Sequence, residues 1–155
     1  MKLSVNHVGL SVHDLEVSTA FYTSLGGEVI MNDHASGPGA SAALDVDDVD
    51  LHSRMIRFGS VIVELLEYRS PVPRPYQLRN SDVGAAHVAF EVVDLRATYV
   101  ELSERGVTFN SPPNAIEEGD FAGGWMVYAK DPDGLSVEFL QPGPGFAEVL
   151  RAGRR

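Results

Sequence analysis

Cysteine is absent from the 155 residues. Disulfide frameworks, thiolate zinc sites and cysteine nucleophiles are excluded with it, so any metal must be held by nitrogen and oxygen ligands. Cations are scarce: 12 Lys and Arg stand against 22 Asp and Glu, for a formal charge of −10. Binding to a phosphate backbone needs clustered positive charge and is excluded as a main role. The one basic group, Arg151 with Arg154 and Arg155, stands at the C-terminal end and reads as a solvated tail. Long apolar runs are missing too; none approaches the ~20 residues of a membrane span. The opening Met1-Lys2-Leu3-Ser4-Val5-Asn6 holds no signal-peptide hydrophobic core, so no membrane partner and a cytoplasmic location are expected. What is present is the balance of an ordinary globular chain, 44% hydrophobic and 22% charged. A chain of this length buries roughly 68–70% of its unfolded surface and needs no staples. It fits one domain, or two half-domains sharing a core.

The sequence repeats itself. His7-Val-Gly-Leu-Ser-Val-His-Asp-Leu15 lies over His87-Val-Ala-Phe-Glu-Val-Val-Asp-Leu95, and Gly26 then falls on Gly106. The ends of the halves match as well, Val63-Glu64-Leu65-Leu66 against Val137-Glu138-Phe139-Leu140, at a slightly different offset. The shift means that the halves differ in loop length.

Each half reads as strand, helix, then more strands. Residues 4–12 alternate, with Asn6, Val8, Leu10 and Val12 on one face and Val5, His7, Gly9 and Ser11 on the other. Asp14 is placed to cap a helix whose apolar spacing is read through Val17, Ala20, Phe21, Ser24 and Leu25, closed by Gly26. In the second half Asp94 caps, Leu95, Thr98, Tyr99 and Leu102 follow, and Gly106 stops the helix. Strands are predicted over 54–58 and 61–67, with counterparts at about 124–130 and 135–140 joined by the turn Asp131-Pro132-Asp133-Gly134. Residues 32–50 read as a loop with a short strand near 41–46, and 111–124 as a second irregular stretch. The expected organisation is a single domain over 1–145: module 1 at about 4–68, a proline-bearing linker at 69–84, module 2 at 85–142. Residues 143–155 form the tail.

Four side chains stand out from this alternation. His7 lies opposite Val8, Leu10 and Val12, and His87 opposite Val88, Phe90 and Val92. Glu64 is flanked by Val63 and Leu65, and Glu138 by Val137 and Phe139. A lone Glu in such a place is ordinarily the wet side of an amphipathic strand, and a lone His is ordinarily structural. A charged Glu in an apolar strand is costly to bury unless paired or coordinated. One His and one Glu at matching places in both halves make a coherent ligand set. Two imidazoles and two carboxylates suit a first-row divalent ion, Zn, Ni, Co, Mn or Fe(II), with positions left for water or substrate. His13, His34 and His52 are assigned to the surface.

These residues carry a family resemblance. His7-Val-Gly-Leu-Ser-Val with Asp14-Leu15 and Phe21-Tyr22, Val63-Glu64-Leu65, His87-Val-Ala-Phe, and Asp131-Pro132-Asp133-Gly134 running into Val137-Glu138-Phe139 resemble the vicinal oxygen chelate superfamily, over about residues 4–142. That superfamily includes glyoxalase I, methylmalonyl-CoA epimerase, extradiol dioxygenases, fosfomycin-resistance enzymes and bleomycin-resistance proteins. The resemblance implies an α+β fold of two tandem βαββ(β) modules, an open, cupped mixed sheet with helices on the outer face. It implies metal ligands at His7, Glu64, His87 and Glu138. It also implies a homodimer, since an open sheet leaves an edge or face to cover. Metal-free members, such as the bleomycin-binding proteins, lack this set.

The activity expected is a glyoxalase-like lyase or isomerase, or an epimerase, working on a small oxygen-chelating substrate through a metal-stabilised enolate. Glu138, Glu64 or a metal-bound hydroxide would take a proton next to a carbonyl, with Glu138 favoured by analogy with glyoxalases. Two rivals remain open. One is a mononuclear Fe(II) dioxygenase, disfavoured by the short chain and by a fourth protein ligand. The other is a non-catalytic drug- or natural-product-binding protein, with Phe121, Trp125 and Tyr128 lining an apolar cleft. Arg54, Arg57, Arg69, Arg74 and Arg79 are the cations available to a substrate, and Glu117-Glu118-Gly119-Asp120 reads as a solvated acidic loop.

Overall fold

Asp14 and Asp94 start the two long helices. In the computed structural model, which describes residues 3–146, the Asp14 carboxylate accepts from the backbone N–H groups of Glu16 and Val17, and that of Asp94 from Ala97. Each satisfies donors that a helix start leaves open. Helix α1 runs Leu15–Ser24 and helix α3 Leu95–Glu104. Both end before a glycine at positive φ, Gly26 at 95° and Gly106 at 89°, a conformation that side chains with a Cβ resist.

The chain divides into two compact units, residues 1–76 and 77–155. In the first, β1 (Val8–Val12), β2 (Glu28–Ser36), β3 (Asp50–Phe58) and β4 (Val61–Ser70) form one sheet in the order β1-β4-β3-β2. In the second, β5 (His87–Glu91), β6 (Asn114–Ala115), β7 (Trp125–Lys130) and β8 (Ser136–Gln141) form a sheet in the order β5-β8-β7-β6. The orders are the same once the duplication is allowed for. In each, the first strand runs parallel to the last and the remaining pairs are antiparallel. The repeat read from the sequence is thus a repeat of topology, and the α+β reading with mixed sheets holds.

Register decides which side chains meet. Val63 and Leu65 of β4 are buried, as are Val137 and Phe139 of β8, each removal from water favouring the fold by about 1.5–3 kcal/mol. In α1 the buried stripe is Leu15, Ser18, Thr19 and Tyr22. This corrects the face expected from Val17, Ala20 and Phe21; Val17 is half exposed. Leu15 and Tyr22 stand seven residues apart and anchor the inner side, as Leu95 and Leu102 do in α3.

The stretch 32–50 is not a loop. β2 continues to Ser36, an eight-residue helix α2 spans Gly37–Leu44, and β3 begins at Asp50. Pro38 in the first turn and the run Ala40-Ser41-Ala42-Ala43-Leu44 favour a helix, so the strand expected near 41–46 does not form. Residues 71–86 hold neither helix nor strand, and 111–124 contain only the short β6. The basic residues Arg151, Arg154 and Arg155, and the tail from 147 onward, lie outside the described residues.

Candidate functional site

Each unit brings its histidine and its glutamate together. In the parallel pairing of β1 with β4, Gly9 stands opposite Glu64, so His7, two residues earlier, shares the Glu64 face. Its Nε2 lies 3.1 Å from Glu64 Oε2. In the parallel pairing of β5 with β8, Ala89 stands opposite Glu138, and His87 Nε2 lies 3.1 Å from Glu138 Oε2. Glycine in one half and alanine in the other leave the carboxylate room to reach back. The glutamate side chains are only 16% and 12% exposed, too little for the wet side of an amphipathic strand. A half-buried carboxylate so placed needs a positive partner.

Around the couples the halves differ. His7 Nδ1 faces Asn6 Oδ1 at 2.8 Å. The ring nitrogen turned away from Glu64 thus has a polar partner that helps hold the imidazole in place. In the second unit the third group is Tyr128, opposite Glu138 in the β7–β8 register, whose hydroxyl donates to Glu138 Oε2 at 2.8 Å. Its ring meets His87 edge-on at 5.4 Å. Burial, and then the hydrogen bond and charge of Glu138, push the Tyr128 phenol up to about 12. The matching position opposite Glu64 is Met55. The turn that sets this register is held by Asp131, whose Oδ1 accepts from the N–H groups of Asp133 and Leu135 at 3.0 and 2.8 Å.

The other aromatics lie elsewhere. Trp125 pairs with Gln141, on the Phe139 side of the sheet, and Arg96 of α3 covers its ring at 4.4 Å. Phe121 packs on Phe146, with ring centroids 4.0 Å apart. Of the cleft-lining aromatics considered in the sequence, only Tyr128 joins the Glu138 cluster.

Most of the candidate arginines are engaged by neighbours. Arg54 grips both oxygens of Glu16, at 3.0 and 2.8 Å, and also bonds Thr19 and Asn32. Arg57 pairs with Glu28, Arg69 with Glu67 and Arg79 with Asp82. Glu117, Glu118, Gly119 and Asp120 are exposed, as expected of a solvated loop.

Two histidines assigned to the surface do lie there, but not apart. His34 of β2 stands directly opposite His52 of β3, with ring centroids 4.5 Å apart. His34 Nε2 is 2.8 Å and His52 Nε2 3.5 Å from the same oxygen of Asp50. The hydrogen bond from His34, foremost among the causes, holds the Asp50 carboxyl below its ordinary value. Within this unit these are three possible metal-ligating side chains in one place. No local pattern announces the group, because it depends on a strand register.

With this geometry in view, comparison with known proteins is decisive at the level of the family. The profile of the Glyoxalase/Bleomycin resistance protein/Dioxygenase superfamily matches residues 4–139. The chain belongs to that superfamily. Among superfamily relatives, a 2-epi-5-epi-valiolone epimerase of Actinomyces sp is 34% identical over 144 residues, covering 89% of this chain and 79% of that protein. A glyoxalase family protein of Bacillus cereus shares the fold at a TM-score of 0.74 and 17% identity, over 92% of this chain and 96% of the other. The fosfomycin resistance protein FosX of Listeria monocytogenes, solved with Mn(II) and sulfate, does so at a TM-score of 0.62 and 18% identity, over 93% and 96% of the two chains. No helix among the described residues is long and apolar enough to cross a membrane.

Proposed function

We propose that this superfamily member is a divalent-metal-dependent epimerase or isomerase, acting on a small substrate with two neighbouring oxygens, and that His7, Glu64, His87 and Glu138 hold the cation. The observation that carries the reading is a couple found twice, an imidazole nitrogen and a carboxylate oxygen 3.1 Å apart in each unit. That spacing fits two adjacent ligands that each sit about 2.1 Å from one ion. The donors are nitrogen and oxygen only, which suits Zn, Ni, Co, Mn or Fe(II). When bound, such an ion supplies Lewis acidity, drawing charge from a carbonyl so that a proton on the adjacent carbon becomes acidic.

The remaining work falls to the chain itself. Epimerisation removes a proton from one face of a carbon and returns one to the other, which calls for two proton carriers. Glu64 and Glu138 fill those roles: one, ionised at the start, takes the proton, while the other, protonated at the start, delivers its own to the opposite face, and they exchange parts in the reverse direction. Tyr128 fixes Glu138 in direction through its hydrogen bond, while Glu64 has the thioether of Met55 in the corresponding position. The Actinomyces relative, by its name an epimerase, supports inversion at a carbon over the lyase alternative.

Metal analysis of protein purified without chelators tests the ligand set. His7→Ala and His87→Ala are each expected to hold about one ion per chain fewer than the wild type; an unchanged metal content in both variants would remove the metal from the reaction. With 2-epi-5-epi-valiolone as the first substrate assayed, Glu64→Gln and Glu138→Gln should each slow turnover by about 100-fold or more. Full activity in both would dismiss a carboxylate base.

A further inference from the structure

We propose that His34, Asp50 and His52 form a second divalent-cation site, for an ion of the Zn(II), Ni(II) or Cu(II) kind, on the face of the first unit's sheet opposite Glu64. The placement follows from register. Met55 stands opposite Glu64, so Ser53 and Met55 share the Glu64 face and His52 and Arg54 look the other way. Arg54 confirms the direction by reaching Glu16 and Thr19 of α1. Asp50 lies two residues from His52 on the same strand, and His34 lies directly across from it on β2. The three side chains therefore leave the sheet on one side, away from the His7–Glu64 couple.

Their spacing is that of ligands. One donor atom from each of the three can be chosen so that all lie within 4.8 Å of one another, with the two nitrogen–oxygen separations at 2.8 and 3.5 Å. Ligands about 2.0–2.1 Å from a tetrahedral zinc are separated by about 3.3 Å, so small side-chain rotations suffice. Two imidazoles and one carboxylate are a borderline donor set, matched to zinc, nickel and copper rather than to calcium or magnesium. The His34 and His52 side chains are 51% and 30% exposed, which leaves an approach path and open coordination positions.

The consequence is mechanical. Among the described residues β2 is the last strand of its sheet and pairs with β3 alone. An ion on His34, Asp50 and His52 would clip the two together, and by linkage would raise the melting temperature with metal concentration.

This site stands apart from the reaction proposed above, and its test is arranged accordingly. Tag-free full-length His7→Ala/His87→Ala protein is titrated with zinc chloride by calorimetry and by thermal melting. We expect one equivalent to bind, with a rise in melting temperature, and the affinity to fall at least ten-fold on adding His34→Ala, His52→Ala or Asp50→Asn. No zinc binding in that background, or binding indifferent to both His34→Ala and His52→Ala, overturns the proposal. Should the parent double variant not fold, the wild type and His34→Ala/His52→Ala are compared. Loss of one zinc per chain supports the site, and an unchanged stoichiometry sinks it.

Discussion

At the scale of the residue, the informative difference is Tyr128 against Met55, one phenol present in one half and missing from the other. A hydrogen bond to a charged group contributes roughly 1.5–3 kcal/mol, enough to fix a carboxylate's direction. Replacing Tyr128 by Phe should therefore lower turnover by about ten-fold, a loss of ~1.4 kcal/mol of transition-state stabilisation. The phenol also has a pH signature. Its folded value lies near 12, above the ordinary 10.0, so the neutral form is the one that folding favours. The stability it lends is complete below pH 10 and is lost as pH rises toward 12. Ultraviolet titration should show a late phenol that Tyr128→Phe removes; an unaltered late phase would mean that another tyrosine carries it. The four ligand candidates were legible in sequence because alternation and duplication both marked them. Tyr128 reads there only as a cleft-lining aromatic, and its bond to Glu138 was not legible, since no tyrosine stands at the matching place in the first half.

At the scale of the element, helices α1 and α3 and the Asp-Pro-Asp-Gly turn were readable from capping, period and turn chemistry. Two things were not. The inner face of α1 combines Leu15 and Tyr22 with Ser18 and Thr19, and a stripe half made of hydroxyls does not look apolar. Aligning it on Leu95, Thr98, Tyr99 and Leu102 of the other half would have exposed it. The run of β2 through Asn32-Asp33-His34 opposes local propensity and is fixed by β3, a partner that lies beyond any local window. Gly27 belongs to this scale. A Cβ there would lie 2.4 Å from Ile56, 2.7 Å from Phe58 and 2.9 Å from the Tyr22 carbonyl, where α1 turns into β2. Gly27→Ala should destabilise the fold by about 1–3 kcal/mol, read from the urea midpoint. An unshifted midpoint would mean that the α1–β3 contact yields freely.

At the scale of the whole molecule, the chain consists of two units with the same strand order, each carrying one histidine–glutamate couple and neither carrying a full coordination set of that kind. Among the described residues the His34 group has its three side chains in the first unit alone. The halves are twins in topology and strangers in detail, and the phenol on one side gives the pair a handedness. With unlike acids on the two faces, deuterium from heavy water ought to enter the two epimers in a ratio that depends on the phenol, and Tyr128→Phe should change that ratio.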